Sequence, residues 1–426
     1  MLATFWFVPV MIIGLAVLLS LSLVSLDNSL NLSQEGWIKF FIVNSSDAAR
    51  SILSTISGAM IGVAGTVFSI TLVALTLASS QFGPRLIKNF MYVRLNQVVL
   101  GSYIATYLYC LLVLNAIKDI NGYTFIPSIS ILIAMLAAIV NIVLLIIFIH
   151  QIATSIQADK VISDISDLIS KQVESLFPEK MGDKLKEKKD IDEDAAISEY
   201  HKSISIKSPS SGYLQYIDSE ALLSLVENND SLFKLKHRPG SFLVKDGEIG
   251  VIYTKVDWEE ESINELLSQF VFGKTRTSQQ DLEYSIHQMV EIASRALSPG
   301  VNDPYTAIAC INNLTATMCK LAQAEFPSKY RVDEDGELRV IADVLDFEGV
   351  LDAAFNQIRQ FSVGSTSVII RLVEALNTIQ GFTTQDYRKK VIIKHVEMIM
   401  RLGKETIKEK NDLDDLKKRV NLILND

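Results

Sequence analysis

The sequence predicts an α-helical membrane protein with four transmembrane helices and an α+β cytosolic domain, the latter a small β barrel or sandwich module followed by a helical bundle. Two observations predict it. Four long stretches carry almost no charge, and charge is unevenly spread: residues 1–152 hold six basic and four acidic side chains, out of 40 and 49 in the 426 residues. One part of the chain is nearly uncharged and the other is acidic and soluble in composition. Cys110, Cys310 and Cys319 are too few and too badly spaced for a disulfide framework or a zinc site; they read as small core hydrophobes that suit a reducing cytoplasm.

The membrane elements come first. Leu2–Leu26, Ser51–Pro84, Leu95–Ile117 and Ile120–Ala158 contain no acidic or basic residue apart from His150, and a spanning helix needs about 20 apolar residues to cross roughly 30 Å of hydrocarbon. Helices are expected at about 4–26, 51–80, 96–117 and 126–152 of a transmembrane domain covering 1–158. The first stretch lacks a basic leader and a small-residue cleavage site, so it is read as a retained helix and not a signal peptide. Arg85, Lys88 and Arg94 fill the second loop without an acid, whereas the 27–50 connection carries Asp27, Glu35 and Asp47 against Lys39 and Arg50. The positive-inside rule then puts the second loop, both termini and everything after Ala158 in the cytoplasm.

The second helix differs in kind from the other three. Ser51, Thr55, Gly58, Gly62, Gly65, Ser69 and Thr76 recur at spacings of three, four and seven, so small or hydroxylated side chains share one face. Gly58 and Gly62 form a GxxxG pair, which lets backbones approach closely where lipid offers no hydrophobic drive. Two readings stay open: the face packs helices within or between protomers, or copies of it line a polar pathway. Ser79, Ser80 and Gln81 continue it to a cytosolic mouth, where Gly83 and Pro84 break the helix and Arg85 faces lipid phosphate or Asp303.

Residues 159–208 read as an amphipathic stalk and a charged linker. Val161, Ile162, Ile165, Leu168, Ile169, Val173 and Leu176 recur with helical period, so the fourth helix is expected to continue into the cytoplasm. The charge-dense stretch that follows is read as solvated. Residues 209–257 are the β module, with strands near Tyr213–Ile217, Leu232–Lys236, Ser241–Val244 and Ile249–Lys255 punctuated by Gly212, Pro239-Gly240 and Asp246-Gly247, and a helix at Ser219–Val226. Its spacing is similar to the barrel-sandwich hybrid of lipoyl-like proteins, yet the lysine of VKDGE precedes the turn, so an adaptor-like module without a swinging cofactor is expected.

Residues 258–426 read as mainly helical. Pro299-Gly300 ends one helix, Asp303 is placed to cap the next and Pro304 takes its first position, where a missing N–H costs nothing. Local structure accounts for most of RALSPGVNDPYTA. The density of Arg295, Ser298, Asn302 and Asp303 around one turn leaves a second reading open, a ligand or domain-docking site beside a helix N-terminus.

Taken with FGKTRTSQQD, the stretches ASSQFGPRLIKNFM and RALSPGVNDPYTA resemble the predicted bacterial membrane proteins of the domain of unknown function 2254 family, over essentially the whole chain. The resemblance implies a bacterial inner-membrane protein of this two-part plan and no activity. It carries over Ser79, Ser80, Gln81, Pro84, Arg85, Arg276, Asp281, Arg295, Ser298, Asn302 and Asp303 as polar positions without catalytic roles. The residues themselves give no support for catalysis: His150, His201, His237, His287 and His395 are scattered, and no HExxH, P-loop, GxSxG or dinucleotide fingerprint occurs. Asn141, buried within the fourth helix, is expected to bond across helices. The expected function is a homo-oligomeric channel or transport protein with a cytosolic regulatory domain. The alternative is a non-conducting scaffold or sensor that presents that domain to a cytosolic protein partner. Membrane lipids are the other expected partner; nucleic acid, metals and cofactors are not expected.

Overall fold

The computed structural model describes residues 6–29, 43, 45–83, 94–120, 123–176, 192–333 and 335–425. The chain divides into two compact units, Met1–Val161 and Ile162–Asp426.

In the first unit, α1 (Phe7–Ser29), α2 (Ser46–Phe82), α3 (Arg94–Ala116) and α4 (Ser128–Ser155) are each long and apolar enough to cross a bilayer. A short antiparallel hairpin, β1 (Lys118–Ile120) and β2 (Tyr123–Phe125), joins α3 to α4. At 37 residues α2 is about 55 Å long at 1.5 Å per residue, well beyond the hydrocarbon thickness. Its packed face is the stripe Leu53, Ser57, Met60, Ala64, Val67, Thr71, Ala74 and Ala78, spaced three or four apart. Met60, Ala64 and Val67 of that stripe share a core with Val99 and Tyr103 of α3 and Phe148 of α4. One close helix approach involves a glycine outside the Gly58–Gly62 pair. A Cβ on Gly101 of α3 would lie 2.9 Å from Pro9 Cα of α1, so only glycine fits this crossing.

Polar groups tie these helices together. Asn141 behaves as expected for a buried membrane amide: its Oδ1 accepts from Ser102 Oγ at 2.7 Å, its Nδ2 donates to Thr106 Oγ1 at 2.8 Å, and Tyr103 donates to its main-chain carbonyl at 2.6 Å. Near the other end, Asp27 of α1 caps α4 from outside. Its carboxylate accepts from the Ile129 and Ser130 N–H groups at 2.9 and 3.0 Å and from Ser130 Oγ at 2.6 Å, which places negative charge at a helix N-terminus.

The fourth helix does not run unbroken into the stalk. It ends at Ser155, and α5 (Ala158–Leu176) begins after Ile156 and Gln157. Thr154 Oγ1 donates to the carbonyls of His150 and Gln151, and Ser155 Oγ donates to Ile152 O; such back-bonding competes with the helical ladder where it stops. The stripe of α5 is buried as its period predicts, at Val161, Ile162, Ile165, Ile169 and Val173.

The second unit mixes sheet and helix. β3 (Lys202–Lys207), β7 (Glu248–Thr254), β5 (Ser231–Leu235), β10 (Leu338–Ile341) and β9 (Tyr330–Val332) form a five-stranded sheet in that order, with β10 parallel to β5 and the other pairs antiparallel. β6 (Phe242–Leu243), β4 (Gly212–Ile217) and β8 (Phe270–Gly273) form a three-stranded antiparallel sheet. Both sheets share one core with α7 (Ser219–Asn228) and α8 (Glu260–Ser268), centred on Leu214, Val226, Phe233, Ile252, Leu266 and Phe270. The short α6 (Glu193–Ser198) precedes β3. Four strands lie near their expected positions, while β3, β8, β9 and β10 come from outside 209–257.

The rest is helical: α9 (Leu282–Ala296), α10 (Pro304–Gln323), α11 (Phe347–Phe361), α12 (Thr366–Gly381), α13 (Asp386–Thr406) and α14 (Lys410–Leu424). One buried cation organises the end of α10. Arg388 of α13 is 2% exposed; it donates to the carbonyls of Leu321, Ala322 and Ala324 at 3.2, 2.6 and 2.9 Å and to Tyr387 Oη at 3.0 Å, and no carboxylate among the described residues bonds to it. Its guanidinium lies 5.2 to 5.6 Å from the ring centres of Phe326, Phe347 and Tyr387. The orphan carbonyls and negative end of a helix thus replace a counter-ion.

Arg388→Ala is expected to destabilise the second unit by roughly 3 kcal/mol, since it leaves buried carbonyls unpaired. Arg388→Lys recovers little of this, because a point charge cannot reach three carbonyls and stack at once. Thermal unfolding of both variants checks it, and full rescue by lysine contradicts it.

Candidate functional site

The small-residue face of α2 points away from its own bundle. Ser51, Thr55, Gly58, Gly62, Gly65, Ser69 and Thr76 are all exposed, on the side opposite the packed stripe. Among the described residues, nothing lies within 4 Å of a Cβ built on Gly58, Gly62 or Gly65. Among the described residues of the membrane unit, then, no neighbour packs on the three glycines of this face. The hydroxyls are locally satisfied: Thr55 donates to Ser51 O at 2.8 Å, Ser69 to Gly65 O at 2.9 Å and Thr76 to Leu72 O at 2.9 Å. Each keeps only its lone pairs for a neighbour.

At the C-terminal end of α2, Ser80 donates to Leu77 O at 2.9 Å, Ser79 is half-buried and Gln81 is exposed. Gly83, at φ 110°, ends α2 with its N–H on Ser79 O at 3.2 Å. Pro84 and Arg85 lie outside the described residues.

The polar residues of the soluble motifs form two separate constructions. Arg276 binds Asp281 through two parallel bonds, Nε to Oδ2 at 2.7 Å and Nη2 to Oδ1 at 2.8 Å. Asp281, 3% exposed, also caps α9 by accepting from Tyr284 N at 3.0 Å. Gly240 presses on this pair at φ +97°; a Cβ there would stand 2.3 Å from Asp281 Oδ2 and 3.0 Å from Arg276 Nη2. Arg238, two residues earlier, adds ion pairs to Glu283 at 2.9 Å and Asp343 at 3.1 Å. The fork pins the loop after β5 and the loop after β8 to the start of α9.

The second construction is the turn between α9 and α10. Ser298 Oγ donates to Arg295 O at 2.6 Å, the N–H groups of Val301 and Asn302 donate to Ser298 O, and Asp303 N donates to Ala296 O at 2.7 Å. Asn302 takes φ 50°, a left-handed conformation that asparagine tolerates better than most residues. Asp303 caps α10 as expected, accepting from Tyr305 N and Thr306 N at 3.1 Å and from Thr306 Oγ1 at 2.6 Å. The Thr306 hydroxyl and these N–H groups hold the Asp303 carboxyl below the usual range. Arg295 reaches Glu291 at 3.4 Å. Side chains and backbone of this turn spend their hydrogen bonds on each other, as a connector does, while Val301 and Tyr305 stand exposed at its surface.

A third cluster escapes sequence reasoning because it begins in the charge-dense stretch. Glu193 accepts from Lys329 Nζ at 2.6 Å and Tyr330 Oη at 3.2 Å through Oε1, and from Lys234 Nζ at 2.9 Å through Oε2, which fastens α6 to β5 and the start of β9. These lysines draw its carboxyl down to about 2. The depressed value means the contact contributes above the ordinary carboxylate range and is lost only as pH falls towards about 2; salt loosens it more readily than mild acid. Among the described residues, no group of three or more His, Cys, Asp or Glu is placed to hold a metal ion. His395 is fully buried 3.0 Å from Asp352, and burial pushes its pKa down against the pull of that carboxylate.

Residues 3–378 match the family described as predicted membrane protein, DUF2254. An uncharacterized protein of Mycobacterium tuberculosis (strain H37Rv) is 29% identical over 369 residues, covering 85% of this chain and 70% of the relative. An uncharacterized protein of Mycobacterium bovis gives the same figures. No solved structure matches.

Gly240→Ala is expected to destabilise the protein by roughly 2 kcal/mol through its positive φ and the clash with Asp281. The penalty shrinks when Asp281→Ala is already present, since the clashing carboxylate is gone. A double-mutant cycle on thermal unfolding measures this coupling, and strict additivity contradicts the close approach.

Proposed function

The chain belongs to the DUF2254 family of predicted membrane proteins, and from that premise we propose that it is a homo-oligomeric channel or transport protein whose soluble unit regulates it from the cytoplasm. One observation carries the reading: the exposed face of α2, where three glycines meet nothing among the described residues. Lipid gains nothing from glycine and hydroxyl groups, whereas a second helix gains close backbone contact from them. Copies brought together on this face set the lone pairs of Thr55, Ser69 and Thr76 along a shared axis, where they can replace part of an ion's hydration. The same face also serves a non-conducting scaffold or sensor, and the back-bonding of its hydroxyls favours that second reading.

The cations of the second loop set the orientation proposed here, with both termini and the soluble unit inside a bacterial inner membrane. The β strands and helices of that unit then act as an adaptor for a cytosolic protein, with lipids and further copies of the chain as the other partners. The acidic balance of the unit disfavours nucleic acid. No catalytic role is proposed for any residue.

Single-cysteine labelling is expected to find positions 30–45 and 119–124 outside the cell and the C-terminus inside; external labelling of the C-terminus contradicts the orientation. Gly62→Leu is expected to shift the purified protein towards monomer in native mass measurements. Ser69→Ala and Thr76→Ala assemble normally, at a cost near 1 kcal/mol or less, but change flux in liposomes. A wild-type oligomer without flux under any voltage, tension or pH gradient hands the case to the scaffold, and a wild-type monomer overturns both readings.

A further inference from the structure

The membrane unit contains three layers of polar side chains, and they differ in saturation. In the layer around Asn141 each carboxamide atom has a partner, and in the layer around Asp27 the carboxylate accepts three bonds. The third layer lies where α3 starts and α4 stops, and it is unsaturated. Asn96 is 7% exposed, yet its Oδ1 has no hydrogen-bond partner. It lines a cavity between α2, α3 and α4 with about 10 Å³ open to the centre of a water-sized guest, room for one small occupant. Thr71, Gln151 and Ser155 supply the other polar walls, and Ala74 and Ile152 supply apolar ones.

The chemistry of these walls selects the guest. Thr71 Oγ1 gives its proton to Val67 O at 2.8 Å, and Ser155 Oγ gives its proton to Ile152 O at 3.0 Å. Both hydroxyls therefore offer the cavity lone pairs only, as does Asn96 Oδ1, and the Gln151 carboxamide brings one oxygen and one NH2 group to the lining. A water molecule can donate to two acceptors. A bare cation can draw on all of them. Among the described residues no carboxylate lines the cavity, so none of them offsets the dehydration of a divalent ion, which is normally held by carboxylates. Arg94 is exposed and absent from the lining, and among the described residues no basic side chain lines the space. The negative end of α4 and the positive end of α3, roughly half an elementary charge each, oppose one another here and leave the oxygens to decide.

We propose that Thr71, Asn96, Gln151 and Ser155 form a binding site for one dehydrated monovalent alkali cation, Na⁺ or K⁺, inside each protomer. The site lies on the packed side of α2, away from the Ser69 and Thr76 face, and it stands whether or not the protein conducts.

The test uses the full chain in detergent, first exchanged into N-methyl-D-glucamine chloride and then titrated with NaCl, KCl or RbCl at constant total chloride. The unfolding temperature of the wild type is expected to rise saturably with at least one alkali cation. The half-saturating concentration is expected to be roughly tenfold higher in Ser155→Ala, and the response should vanish in Asn96→Leu. If Asn96→Leu does not fold, Ser155→Ala carries the comparison, because it removes one ligand oxygen and leaves the helix core intact. An unfolding temperature identical in N-methyl-D-glucamine and in every alkali chloride overturns the proposal in favour of a buried water. A cation response unchanged in Ser155→Ala and Asn96→Leu overturns it in favour of a site elsewhere.

Discussion

Inside hydrocarbon no water is available to a polar group, so whatever a spanning helix carries must find its partner within the protein. This constraint orders the membrane unit. A side-chain hydrogen bond between membrane helices contributes on average about 0.6 kcal/mol, whereas an amide or hydroxyl left without one in an apolar medium costs several times that. The penalty exceeds the gain, so polar side chains here fix which helices meet more than they add stability. Asn141 selects α3 through Ser102, Tyr103 and Thr106; Asp27 selects the start of α4; Arg50 donates to Ile117 O at 2.9 Å at the end of α3. Hydroxyls that find no neighbour turn back onto their own helix, as on the open face of α2. Among the described residues of the unit Asn96 is the exception, and it lines a cavity.

The second unit obeys the same accounting with more means. Its sheets close an apolar core around Phe233 and Ile252, and its buried charges are either paired, as Arg276 is with Asp281, or set against helix carbonyls and aromatic rings, as Arg388 is. Five of its described helices, α6, α7, α9, α10 and α11, begin at an aspartate whose side chain accepts from first-turn N–H groups. Polar motifs dense enough to suggest a site therefore resolve into joints: one clamps two loops to α9, the other turns the chain between α9 and α10.

Local signals were legible and distant ones were not. Apolar length revealed all four membrane helices, and Asp303 and Pro304 announced the start of α10 because a cap is written within four residues. The outward face of α2 was legible as a stripe but not as outward: Ala64, Ala74 and Ala78 make the opposite face just as small, and only packing against α3 and α4 decides between them. One close crossing involves a lone glycine, Gly101, whose partner Pro9 is more than ninety residues away. Glu193 was hidden by its acidic and basic neighbours, since a charge run reads as solvated until Lys234 and Lys329 are brought beside it. Strands β9 and β10 complete a sheet begun about a hundred residues earlier, and strands of three and four residues carry too little period to declare that pairing.

The central claim is that the Gly58–Gly65 face of α2 meets a second copy of the chain in the membrane. Cysteine cross-linking along this helix in native membranes tests it most directly, because Cys110, Cys310 and Cys319 are all buried and give little background. Gly58→Cys, Gly65→Cys and Ser69→Cys are expected to form disulfide-linked dimers on mild oxidation, and Ala64→Cys and Val67→Cys, on the packed side, are not. Equal cross-linking around the whole circumference, or none at the three exposed positions, contradicts the claim.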